Sequence, residues 1–225
     1  MSAPEHTRAL LFDLDGTLID SIELILRSYE HTLAVHGLPP VSRDELIASL
    51  GTPLVAQFPR CGARADQVDD LIATYREFNL AHHDALVRGY DGVAAALDAL
   101  ARRELPMGVV TSKFAATAWA GLRCVGLDHH FEHLIGADDV TRHKPDPEPV
   151  LAGCARLGVA PSLCAYVGDS THDMRAARAA GARAIGVAWG PFAAQDLRDA
   201  GAHAVLEHPR ELALLMTGDQ SSAST

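Results

Sequence analysis

From residue 89 onward, short apolar runs alternate with amphipathic helical stretches, and this rhythm constrains the fold more than any other feature. "PMGVVTS" (106–112), "HLIGA" (133–137), "LCAYVGD" (163–169), "RAIGVAW" (183–189) and "HAVLE" (203–207) read as buried strands. Between them, "DGVAAALDALARRE" (91–104) sets Val93, Ala96, Leu97 and Leu100 on one helical face. "FAATAWAGLRCVGL" (114–127), "PEPVLAGCARLG" (147–158) and "THDMRAARAAG" (171–181) read as further helices. Pro147 and Pro149 suit a first turn, Ser170 or Thr171 suits an N-cap, and Gly158 and Gly181 suit stops. An additional strand, "ALLFD", precedes them all. Strands that alternate with helices imply a parallel sheet covered on both faces, hence an α/β class.

Residues 20–88 break the rhythm. "DSIELILRSYEHTLAVHG", "SRDELIASLG" and "ADQVDDLIATYREFNLAHHDALV" read as three helices with no strand among them. Ser42 and Glu45 form a capping box at the start of the second. The expected organisation is an α/β core from residues 1–19 and 89–216, with a helical cap over 20–88 inserted after the first strand. Two connections, near 17–21 and 86–90, would let that lobe open and close. The polar tail "TGDQSSAST" (217–225) is expected to be disordered.

The chain has 225 residues, 48% of them hydrophobic, enough for a real core. A net charge of −10 argues against a nucleic-acid partner. Any anionic substrate then needs locally concentrated positive charge. No segment approaches the roughly 20 apolar residues of a membrane helix. No basic stretch leads into an apolar run at the start. Cys61, Cys124, Cys154 and Cys164 form no C-x-x-C pair, so each is expected as a reduced, buried thiol in a cytoplasmic protein.

The chemistry gathers at strand ends. "LLFDLDGT" closes an apolar run with Asp13 and Asp15, two carboxylates that extended geometry points to one side. A "DG" hairpin would need a second strand at once, but a helix follows. An EF-hand would place its glycine later. "GVVTSK" ends in Thr111, Ser112 and Lys113; "TRHKPDPEP" sets Lys144 before a helix; "YVGDSTHD" ends in Asp169, with Asp173 beyond. In a parallel sheet these ends open on one edge. Only two of the 19 basic residues are lysines, and both fall in this set. A compact ammonium suits a phosphate in a tight pocket.

A carboxylate cluster is tolerable around a hard cation, so Asp13, Asp169 and a backbone carbonyl at Asp15 are expected to hold Mg²⁺. Asp13 then serves as a nucleophile towards phosphorus, and Asp15 as the acid and base. The backbone at Leu14, with Thr111, Ser112 and Lys144, is expected to bind the phosphoryl group.

Those four segments, in that order, resemble the four motifs of the haloacid dehalogenase superfamily. The resemblance implies a Rossmann-like core with an inserted cap and a small phosphorylated molecule as substrate. It implies Asp13 as nucleophile and magnesium ligand, and Asp15 as acid and base. It further implies Thr111 and Lys144 on phosphate, Asp169 on magnesium, and Asp173 supporting that shell. "YREFNLAHHDALVRGYDGV" (75–93), "HKPDPEPVL" and "GVAWG" are similar to PpaX-type inorganic pyrophosphatases, relatives of the phosphoglycolate phosphatases. Of the remaining residues, Gly51 reads either as a loop facing the site or as a helix stop. Lys113 is a candidate substrate contact. His82 and His83 do not share a helix face, which weakens a metal reading and favours solvated or locally bonded rings, with His83 kept as a cap contact. Arg88 reads as a neutraliser of substrate charge or a hinge marker. The competing readings are a mutase, a metal-free dehalogenase and a binding module.

Overall fold

The computed structural model describes residues 7–216; the tail expected to be disordered lies outside them. The core is a six-stranded sheet. Its strands are β1 (Ala9–Phe12), β4 (Met107–Val110), β5 (His133–Ile135), β6 (Cys164–Gly168), β7 (Arg183–Val187) and β8 (Ala204–Leu206), arranged β5-β4-β1-β6-β7-β8. Every pairing is parallel, with Leu10 opposite both Met107 and Ala165. β1, β4 and β6 are buried along their whole length, as near-continuous apolar runs require when both faces are covered.

Alternation assigns the side chains to faces. Leu10 and Phe12 join one cluster with Val109, Val167 and Ile185; Ala9 and Leu11 join the other with Val110 and Tyr166. Helix α5 (Val93–Ala101) packs on the first face through Val93, Ala96, Leu97 and Leu100, all buried as the periodicity predicts. Also covering that face are α6 (Ala115–Cys124) and a 3₁₀ segment, Pro209–Met216, which the sequence pattern does not reveal. Helices α7 (Glu148–Arg156), α8 (Thr171–Ala180) and α9 (Ala194–Asp199) cover the second.

The segment after β1 is helical: α1 (Ile22–Val35), α2 (Arg43–Ala48), α3 (Leu54–Arg60) and α4 (Val68–Leu86). These helices share a core of their own, where Tyr29 packs on Phe58 and Tyr75 with ring centroids 5.6 and 5.0 Å apart. The Ser42–Glu45 capping box is formed. Two corrections apply. A short helix, α3, carries Pro59 and was not expected. The segment is also not strand-free, because β2 (Ile19–Asp20) pairs antiparallel with β3 (Arg88–Gly89) at the two crossings between lobe and core. Among the described residues, no helix is long and apolar enough to cross a membrane. All four cysteines are free thiols, and Cys124, expected to be buried, is exposed.

Candidate active site

β1 lies between β4 and β6, so the ends of three neighbouring strands meet where the sheet order reverses. There β1 delivers Asp13 and Asp15, β4 delivers Thr111 to Lys113, and β6 delivers Asp169. Lys144, from the loop before α7, reaches the same point. Its Nζ lies 2.9 Å from Asp13 Oδ1 and 2.6 Å from Asp173 Oδ1, and donates to the Tyr166 hydroxyl at 3.0 Å. Asp173 is fully buried and receives Ser170 Oγ (2.6 Å) and Ser170 N (3.0 Å), while its own amide donates to Ser170 Oγ at 3.2 Å, closing the capping box of α8.

The electrostatics follow from this packing. Burial, then the Asp173 charge, pushes the Asp13 carboxyl up to about 7 against the pull of Lys144. Burial and the charges of Asp173 and Asp13 push Asp169 up as well. Burial also raises Asp173, but Lys144 and Ser170 outweigh it and hold that carboxyl below its ordinary value. Burial pulls Lys144 down, yet the carboxylates of Asp13 and Asp173 keep its ammonium well above the usual lysine range.

Asp169 is tightly enclosed. Thr17 Oγ1 donates to it at 3.1 Å, and Trp189 Nε1 donates to the Thr17 carbonyl at 2.9 Å. Gly16 has φ +79°, and a Cβ there would stand 2.3 Å from Asp169 Oδ2. A Cβ on Gly190 would stand 2.4 Å from Asp169 Cβ. On the other side of the loop, Asp15 is contacted by both Ser21 Oγ and Lys113 Nζ. Ser21 therefore makes no side-chain cap to α1, although it stands at the N-cap position; the Asp20 carboxylate accepts from the Ile22 amide instead, at 3.3 Å. Leu14 buries its side chain in the core, and its carbonyl accepts from the amides of Leu18 and Ile19, so it brings no side chain to the site.

A cavity of about 720 Å³ opens over these groups and is roofed by the helical lobe. Thr111 and Ser112 line it, and Ser112 Oγ donates across the gap to the Gly51 carbonyl at 3.3 Å. Gly51 therefore faces the site, three residues beyond the end of α2. Arg76 of α4 stacks over Phe114, its Cζ 4.3 Å from the ring centroid, at the cavity wall. His83 is buried and lines the cavity, whereas His82 is exposed on another face of the helix. Arg88 does not line the cavity. Its guanidinium donates to the carbonyls of Asp84, Ala85 and Val87, closing the C-terminus of α4. Sequence reasoning missed Ser21, Thr17, Tyr166 and Gly190.

The haloacid dehalogenase-like hydrolase model matches residues 10–187. The chain belongs to this family. It is an enzyme, a hydrolase of the phosphatase kind. It is 42% identical over 193 residues to Pyrophosphatase PpaX of Bacillus velezensis, covering 86% of this chain and 88% of that protein. The same-named protein of Anoxybacillus flavithermus is 41% identical, with 82% and 85% covered. Among solved structures, a hydrolase from Pseudomonas syringae matches with TM-score 0.82 and 26% identity over 91% of this chain and 95% of that one. A Lactobacillus plantarum protein described provisionally as a phosphoglycolate phosphatase matches with TM-score 0.84 and 27% identity, covering 93% and 99%.

Proposed function

We propose that this haloacid dehalogenase-like hydrolase is a Mg²⁺-dependent phosphohydrolase that works through an aspartyl-phosphate on Asp13, with inorganic pyrophosphate as its substrate. The observation that carries the reading is the position of Asp13. It stands at the sheet edge between a buried ammonium and two further buried carboxylates, and opens on the cavity. The name of the PpaX relatives supports the choice of pyrophosphate.

The residues fit a divalent cation. Oxygens of Asp13, Asp169 and Asp173 lie within 4.8 Å of one another, and Lys144 is the one cationic side chain bonded to them among the described residues. Burial lifts Asp13 and Asp169, so a second positive charge is what this oxygen-rich set lacks. Asp13, Asp169 and the Asp15 carbonyl would hold Mg²⁺, which when bound neutralises charge on the transferring phosphoryl group. Asp173, already engaged by Lys144 and Ser170, serves to fix the lysine.

The chain's own groups then divide the work. Asp13 attacks phosphorus, forming the O–P bond as the bond to the leaving phosphate breaks. Lys144 and the Thr111 hydroxyl take the equatorial charge, helped by the amides of Leu14 and Asp15, which donate to no other described residue. Asp15 gives its proton to the leaving phosphate and later removes one from the water that hydrolyses the acyl phosphate. Ser21 and Lys113 aim the Asp15 carboxylate between these steps.

Phosphate release from pyrophosphate and phosphoglycolate, each with Mg²⁺ and with EDTA, tests the reading. Metal-dependent release from pyrophosphate is expected. Absence of release from either substrate rejects the phosphohydrolase; preference for phosphoglycolate, the second reading favoured by the Lactobacillus plantarum structure, rejects pyrophosphate alone.

A further inference from the structure

Away from the catalytic cluster, Asp98, His129 and His130 bring a carboxylate oxygen and two ring nitrogens within 4.8 Å of one another. Asp98 stands on α5, and the two histidines end the 3₁₀ turn Asp128–His130 that follows α6. That turn leads into the start of β5, so the group lies towards the edge where the strands begin. Asp13, Thr111 and Asp169 stand at the opposite edge, and none of the three residues lines the cavity.

The spacing suits ligands of one ion. His130 Nε2 lies 3.6 Å from Asp98 Oδ1, beyond hydrogen-bond range. Two atoms each about 2.0–2.1 Å from a tetrahedral cation stand about 3.4 Å apart. The rings of His129 and His130 lie side by side, with centroids 4.0 Å apart and planes inclined at 38°. Two imidazolium rings so close would repel, whereas neutral rings each keep a lone pair for a metal. Burial, then the neighbouring His129, holds His130 below the ordinary histidine value, so its ring is neutral near pH 7. The His130 ring is largely covered, but Asp98 and His129 are exposed, which leaves a fourth ligand position to water. Two imidazoles with one carboxylate favour a borderline cation such as Zn²⁺ over Mg²⁺, which takes oxygen sets.

We propose that Asp98, His129 and His130 form a metal site separate from the catalytic carboxylates, binding Zn²⁺ or a similar borderline transition cation through three side chains and a water. His130 binds through Nε2, the nitrogen that faces Asp98, and keeps its proton on Nδ1. The ion fastens α5 to the turn before β5. The residue after that turn is Phe131, whose ring meets Phe12 edge-on in the core at 6.0 Å. The site therefore acts on the stability of the core and stands apart from the chemistry at Asp13. A metal that binds the folded chain and not the unfolded one raises stability by mass action.

Equilibrium dialysis of the full chain against Zn²⁺, with Mg²⁺ in excess to occupy the catalytic carboxylates, tests the proposal. Asp98→Ala and His129→Ala should each weaken Zn²⁺ binding by more than about 10-fold, since disturbing mere supporting residues already costs roughly 10- to 100-fold. Both side chains are exposed, and cooperative urea unfolding without Zn²⁺ verifies that the variants fold. Zn²⁺ should raise the Tm of the unsubstituted protein by more than that of either variant. Co²⁺ in place of Zn²⁺ should give the intense visible absorption of a tetrahedral site in the unsubstituted protein and lose it in both variants. Zn²⁺ affinity equal within about 3-fold in all three proteins overturns the proposal. So does a loss of binding in Cys124→Ser with none in Asp98→Ala, which would move the ion to the His83, Asp84 and Cys124 group.

Discussion

The ammonium of Lys144 lies 2.6 Å from the carboxylate of Asp173, and neither side chain reaches appreciable solvent. Such a pair is poor at stabilising a fold on its own account, because desolvation offsets most of the attraction. Breaking it is another matter. Lys144→Met would leave Asp13, Asp169 and Asp173 facing one another with no buried cation. Loss of phosphate release and a destabilisation of about 3–5 kcal/mol are expected in EDTA, read from urea unfolding. Added Mg²⁺ should recover part of the stability and none of the lysine's contact with phosphate.

The same cluster sets a pH dependence. The Asp13 carboxyl is raised from 3.8 to about 7, so the folded state binds its proton more tightly than the unfolded chain. That contribution is complete below about pH 4 and is lost as pH rises through about 7; Asp169, also raised, adds with the same sign. Metal-free protein should therefore lose stability between pH 5 and 8. The rise in Tm produced by Mg²⁺ over EDTA should be larger at pH 8 than at pH 5.5, and differential scanning calorimetry in four buffers checks this.

The strand-end residues were legible because their chemistry depends on residue type and their place on the sheet rhythm. Asp13, Asp15, Thr111, Lys144 and Asp169 each follow or precede an element that apolar periodicity identifies. What escaped depends on where a short side chain turns after folding. Ser21 has the sequence context of an N-cap and instead contacts Asp15. Tyr166 reads as one more apolar strand residue, yet its hydroxyl sits between Lys144 Nζ and the Val110 carbonyl. Arg88 carries charge next to the cap motif, but the nearest unsatisfied groups were the carbonyls ending α4. The β2–β3 ribbon spans two residues on each side, too few for any alternation to register.

Gly16 tests how closely the backbone must approach Asp169. Alanine there faces two obstacles, a left-handed φ of +79° and a Cβ 2.3 Å from Asp169 Oδ2. Gly16→Ala should displace the Asp169 carboxylate and weaken Mg²⁺. A Mg²⁺ titration of activity should show a half-saturation concentration raised about 10-fold or more, by analogy with disturbed metal-supporting residues. An unchanged titration would mean that the loop yields without moving Asp169.

Arg88→Ala separates the hinge from the site. Among the described residues the guanidinium bonds only to carbonyls at the end of α4, and it does not line the cavity. Its removal should cost about 0.5–1.5 kcal/mol of stability and leave KM for pyrophosphate within about 2-fold. A large rise in KM would return Arg88 to the substrate.

Ser112 offers the complementary case, since its hydroxyl joins the two parts of the molecule through the Gly51 carbonyl. A 3.3 Å bond between partly buried groups is worth about 0.5–1.5 kcal/mol, and here that energy favours the lobe lying over the cavity. Ser112→Ala should therefore act on closure. KM for pyrophosphate should rise by roughly 2- to 10-fold while urea unfolding of the core stays unchanged. If the hydroxyl instead contacts the transferring phosphoryl group, kcat falls with KM nearly constant. Steady-state kinetics on this one variant thus decides between a latch and a phosphate ligand.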